Sequence, residues 1–168
     1  DTSSGRRESV AEHSWRTSLM AMLLTKEFPE ADMDKVIRMC LIHDLGECFT
    51  GDIPAFRKTR QDEKTETQLL SQWVEGLPSP EREKMAALYA EMAAMETKEA
   101  KIYKALDKME AVVQHNESPI STWEALEYEL NLTYGVEQAA FSPQMQALRE
   151  AIRQETLKKM ETEGAEND

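Results

Sequence analysis

Apolar residues recur at intervals of three and four along nearly the whole chain, and Pro, Gly and Ser separate the stretches that carry this spacing. No comparable run alternates with a period of two, so the pattern restricts the fold to the all-α class. Ser9-Val10-Ala11-Glu12 sets Ser at the N-cap and Glu at N3 of a capping box. It opens a first helix with Leu19, Met20, Leu23 and Leu24 expected inward and a stop before Pro29. Asp32 caps a second helix, whose apolar face is Met33, Val36, Ile37, Cys40 and Leu41, and which is expected to run into His43-Asp44-Leu45-Gly46-Glu47. A third helix is expected over residues 62–74, ending at Gly76, and a fourth from Ser79-Pro80-Glu81 to Ala94. Thr97 caps a fifth containing Ile102, Leu106, Asp107, Met109 and Val113, and Ser121-Thr122-Trp123-Glu124 opens a short one toward Leu132. The last begins at Ser142-Pro143, turns Met145, Leu148 and Ile152 inward, and decays from Glu161. The expectation is a single compact domain over residues 1–160, all-α with about six to seven helices, then an acidic disordered tail over 161–168.

Charge excludes several function classes. Twenty Lys and Arg against 32 Asp and Glu leave a net charge of −12, which repels a nucleic-acid polymer and an anionic membrane surface alike. No apolar run approaches the roughly 18 residues of a membrane span, and the first residues lack a signal-peptide layout. Neither a nucleic-acid nor a membrane partner is expected. Cys40 and Cys48, without CxxC spacing, fit a reducing compartment, and the expected location is cytoplasmic. Ten methionines read as adaptable core filling, and Trp15, Trp73 and Trp123 as packing residues.

The chemistry concentrates in few residues. Two of the three histidines stand beside acids, in Glu12-His13 and His43-Asp44. The His43-Asp44 doublet interrupts a greasy helix, where burial of such groups without a partner would cost several kcal/mol, so a cation is expected there. On a continuous helix Glu47 projects over the same face as His43. Asp107 lies among apolar residues of the fifth helix, at a spacing consistent with its inner face. His13, His43, Asp44 and Asp107 together make a two-nitrogen, two-oxygen set suited to one divalent ion of the Mn, Co, Ni, Fe, Zn or Mg group. His13 falls at N4 of the first helix, where the dipole favours the neutral imidazole.

The ordered set Glu12-His13-Ser14, His43-Asp44-x-x-Glu47, Thr50-Gly51-Asp52 and a later Asp107 resembles the HD-domain metal-dependent phosphohydrolases, most of all the branch containing the bacterial 5′-deoxynucleotidases. The resemblance covers roughly Arg6 to Val113. It implies an all-α fold, one divalent metal on His13, His43, Asp44 and Asp107, and Glu47 and Asp52 as catalytic carboxylates. It further implies hydrolysis of a (deoxy)nucleoside 5′-monophosphate to nucleoside and phosphate, and a homodimer. A monoester calls for nearby cations: Arg6 and Arg7 precede the first helix, and Arg57, Lys58 and Arg60 follow Asp52, while Lys108 is assigned to the solvated face. Relatives usually carry a further helix before Arg6 that contributes to sugar and base recognition, and only residues 1–5 precede Arg6 in this sequence. Two-metal variants of the fold need extra histidines, and only His115 is unassigned; it reads as a helix-end residue favourable to the dipole. The competing expectation is a metal-stabilised HD module that binds a nucleotide or a protein without turning it over.

Overall fold

The computed structural model describes residues 2–51, 53 and 58–164. Nine α-helices lie within them: α1 (Val10–Leu23), α2 (Met33–Ile42), α3 (Glu47–Thr50), α4 (Arg60–Glu75), α5 (Glu81–Ala94), α6 (Lys98–Glu117), α7 (Ala125–Thr133), α8 (Val136–Ala139) and α9 (Pro143–Gly164). Seven of these exceed a single turn, and no strand occurs among the described residues. The all-α expectation holds.

Helix α6 is the axis of the molecule. Thr97 caps it by accepting a hydrogen bond from the Ala100 backbone N–H at 3.2 Å, and α1, α2, α5, α8 and α9 all pack against it. Its Ile102, Leu106 and Met109 are completely buried, with Met39 from α2 and Met145 from α9. Each such side chain contributes roughly 1.5–3 kcal/mol through its removal from water. The same helix also buries Asp107, Glu110 and Gln114. These fall at i, i+3 and i+7, a polar stripe on an otherwise apolar helix.

Helix α1 begins as its capping box dictates, with the Ser9 backbone N–H donating to Glu12 at 3.0 Å. Its buried face, however, is Ser14, Thr17 and Ala21, while Met20 and Leu24 are only partly covered and Leu23 is 72% exposed. Small residues let α1 lie close to its neighbours, and Thr17 and Ser18 satisfy their hydroxyls on the carbonyls one turn back, at 2.8 and 2.7 Å. Leu41 of α2 likewise faces out, and Trp15 and Trp73 are exposed, whereas Trp123 is buried.

Regular α2 ends at Ile42, earlier than its apolar pattern suggests. Residues 43–46 continue in tighter i→i+3 turns, with Leu45 N–H on Ile42 O at 3.1 Å and Glu47 N–H on Asp44 O at 3.0 Å, before α3 begins. Glu47 is therefore not placed by a continuous helix. Helix α7 starts after Glu124 rather than at Ser121, because residues 120–122 form a 3-10 turn and the capping box closes between Glu124 and Glu127. Helix α9 continues to Gly164, past the Glu161 where the sequence pattern fades. Glu163 accepts from the Ile120 backbone N–H at 3.0 Å, which ties this end of the helix to the body.

Candidate metal centre and cleft

Three elements deliver the central side chains: His13 from the second turn of α1, His43 and Asp44 from the end of α2 and the turn after it, and Asp107 from the middle of α6. The two Nε2 atoms face each other at 3.1 Å. Asp44 Oδ2 lies 3.2 Å from His43 Nε2 and 3.7 Å from His13 Nε2. Asp107 Oδ1 lies 3.4 and 3.5 Å from the same two nitrogens. Donors about 2.1 Å from one shared ion stand about 3.0–3.4 Å apart in octahedral or tetrahedral arrangements, so these separations suit a single small cation. His13, His43, Asp44 and Asp107, named from spacing and residue type, are thus brought together.

The imidazoles are oriented from behind. His43 Nδ1 donates to the Cys40 carbonyl at 2.7 Å, leaving Nε2 as the atom that meets the cluster. His13 Nδ1 donates to Glu110 Oε2, and the other Glu110 oxygen forms an ion pair with Arg16, 3.0 Å from its Nε. Glu110 is completely buried. Burial opposes charge on both rings, but Asp107 with Glu110 outweighs it at His13, pushing that pKa up to about 11. Asp107 with Asp44 does the same at His43, to about 9. The carboxylates from α6 thus raise the His13 pKa, in the direction opposite to the one its N4 position on α1 favours. Burial also opposes the Asp107 charge, yet hydrogen bonds to His13 and His43, with Lys104 nearby, hold this carboxyl well below the usual range. The environment favours positive charge where the two Nε2 atoms meet, a demand that a divalent cation satisfies.

The cluster forms part of the wall of a cleft of about 840 Å³. Asp107 Oδ2 turns away from the histidines to Lys104 Nζ at 2.8 Å and Lys108 Nζ at 3.3 Å. Lys108 is thus a cleft residue rather than a solvated one, its ammonium 5.0 Å from the Tyr134 ring centre. Glu47 lines the same cleft and accepts from Lys58 at 3.0 Å, while Lys58 also pairs with Glu66 at 2.6 Å. Arg7 lines the cleft, whereas Arg6 is turned to Glu12, with Nη1 donating to Oε2 at 3.0 Å, and does not line it. Asp52 and Arg57 lie outside the described residues. The sequence reading missed Glu110, Lys104 and His115. For the first two, the available signal was their position three residues either side of Asp107, on its own face of the helix.

Comparison with known proteins gives this arrangement a lineage. A model of the HD-domain family matches residues 1–149. The chain belongs to the HD-domain family. Among curated relatives of this HD-domain chain, 5′-deoxynucleotidase HDDC2 of Homo sapiens is 32% identical over 114 residues, 67% of this chain and 55% of that protein. The Xenopus laevis protein of the same name is 34% identical over 124 residues, 73% and 56% respectively. The HD-domain chain spans a little over half the length of the curated relatives it matches. A crystal structure of a predicted metal-dependent phosphohydrolase from Magnetospirillum magnetotacticum MS-1 is similar with a TM-score of 0.73 at 29% identity, covering 93% of this chain and 81% of the other. The resemblance carried by His13, His43-Asp44 and Asp107 therefore identifies the family correctly. Among the described residues, no helix is long and apolar enough to cross a membrane.

Proposed function

We propose that this HD-domain chain is a divalent-metal-dependent phosphohydrolase that releases inorganic phosphate from (deoxy)nucleoside 5′-monophosphates. The observation that carries the reading is two Nε2 atoms 3.1 Å apart, each within 3.2 to 3.7 Å of one Asp44 and one Asp107 carboxylate oxygen, with His13, Asp44 and Asp107 lining a cleft that also carries lysines. The relatives' names agree with it. His13, His43, Asp44 and Asp107 hold the ion, of the Mn, Co, Ni, Fe, Zn or Mg group. When bound, such an ion neutralises phosphoryl oxygens and lowers the pKa of a coordinated water.

The chain's own side chains do the rest. Glu47 exchanges a proton with the attacking water or the leaving oxygen, and Lys58 holds its carboxylate toward the cleft. Lys104 and Lys108, with Arg7 at the rim, face the negative charge of the phosphoryl group. Asp52 is carried over from the family pattern as a second catalytic carboxylate. Arg6 acts one step removed, by fixing Glu12 and with it the start of α1. A homodimer, suggested by the family, is tested by light scattering.

The decisive experiment is phosphate release from a panel of ribo- and deoxyribonucleoside 5′-monophosphates in Mn or Co, for the natural chain, Glu47→Ala and Asp107→Ala. Both variants should lose activity by about 10²–10⁴-fold, and only Asp107→Ala should lose the ion. Equal metal content in all three with no phosphate released would leave a metal-stabilised binding module instead.

A further inference from the structure

The cleft does not stop at the candidate metal centre. It follows one stripe of α6 through Asp107, Ala111 and His115, with Glu127 and Asn131 of α7 forming its far wall. His115 lies eight positions along the helix from Asp107, a rise of about 12 Å. A nucleoside 5′-monophosphate is elongated in the same sense, its sugar carrying the base away from the phosphate.

The far end carries a polar group that the fold does not use. Asn131 is 1% exposed, and its Oδ1 accepts from His115 Nδ1 at 2.7 Å, which fixes the amide. Its Nδ2 has no hydrogen-bond partner among the described residues. An unpaired buried donor costs about 1–3 kcal/mol and calls for a reason. Neighbouring Arg149 supplies none, because a guanidinium only donates; it gives its hydrogen bonds to the backbone carbonyls of Asn131 and Tyr134, at 2.8 and 2.7 Å. One turn before Asn131, Glu127 spends Oε2 on the Glu124 backbone N–H at 2.7 Å, while Oε1 stands 3.5 Å from His115 Nε2. A buried amide donor and a carboxylate acceptor thus lie together on the cleft wall.

We infer that Asn131 and Glu127 form a nucleobase-binding pole, hydrogen-bonding the base of a nucleotide whose phosphate lies at His13, His43, Asp44 and Asp107. This rests on the phosphohydrolase reading above. Every nucleobase presents an N–H donor beside an acceptor on its pairing edge, in one order in adenine and cytosine and in the reverse order in guanine and thymine, so any base offers the pole one donor and one acceptor, which deoxyribose phosphate without a base does not.

The test compares dAMP, dCMP and dTMP with deoxyribose 5-phosphate as substrates of the Mn-loaded chain. Beside it, calorimetry measures binding of their methylene-phosphonate isosteres, whose C–P bond resists hydrolysis. Base-bearing isosteres should bind at least about tenfold tighter than the base-free one. Asn131→Asp, which puts an acceptor where the donor was, should collapse that ratio, chiefly in KM. Glu127→Gln, which keeps an oxygen for the α7 cap, should reduce it. Equal affinity with and without a base in the natural chain overturns the pole while hydrolysis upholds the phosphohydrolase. Absence of both hydrolysis and isostere binding overturns the two together.

Discussion

Glu110 shows how a single side chain can be indispensable to a site it does not enter. It is fully buried between His13 Nδ1 and Arg16 Nε, and a carboxylate in such a place is sustained only by its partners. By taking the back of the His13 ring it leaves Nε2 for the cluster. Glu110→Gln should weaken metal binding by roughly 10–100-fold, read by competition with a chelating dye, and lower the unfolding free energy by about 3 kcal/mol, read by urea titration. Unchanged metal affinity would reduce Glu110 to a neutraliser of Arg16. The four central residues were legible because His and Asp among apolar neighbours are costly unless used. Glu110 was not, since a glutamate on a charge-rich helix looks solvated, and its partners lie 97 and 94 residues away in sequence.

At the scale of elements, caps and turns aim the side chains. The Ser9–Glu12 box fixes where α1 begins and so the height at which His13 emerges. Ser9→Ala should cost about 1 kcal/mol, seen as a lower urea midpoint. Gly135 joins α7 to α8 at φ +82°, and a Cβ there would stand 3.1 Å from Lys108 Cβ. Gly135→Ala combines left-handed backbone strain with pressure on a cleft lysine, and should cost about 1–2 kcal/mol. Activity should fall further than for Ser9→Ala at equal loss of stability, because only the glycine variant displaces Lys108. Caps at Ser9, Asp32 and Thr97 were readable because each is a local bond between side chain and nearby backbone. The early end of α2 was not: its apolar pattern continues past Ile42, and the departure lies in backbone turns that hydropathy does not record.

Across the whole molecule, the candidate centre joins α1, the end of α2 and α6, so an ion bound there would link folding to metal concentration. At 100 times its Kd, Mn should add about 2.7 kcal/mol to stability, raising the melting temperature by roughly 5–10 °C. EDTA should reverse the shift, and Asp107→Ala should show none; equal melting curves with and without metal would separate the centre from the fold. The sequence by itself determined the all-α class, most helix starts, the family and the residues of the central cluster. The family rests on the resemblance of the ordered motif set, and the other features on periodicity, local caps and the cost of misplaced polar groups, which are properties of short stretches of chain. Only the tertiary structure decided that Glu110 backs His13, that Arg6 turns to Glu12 while Lys104 and Lys108 face the cleft, and that Asn131 lies buried with a donor to spare. Each depends on which helix packs beside which, and electrostatics between segments distant in sequence has no period to read.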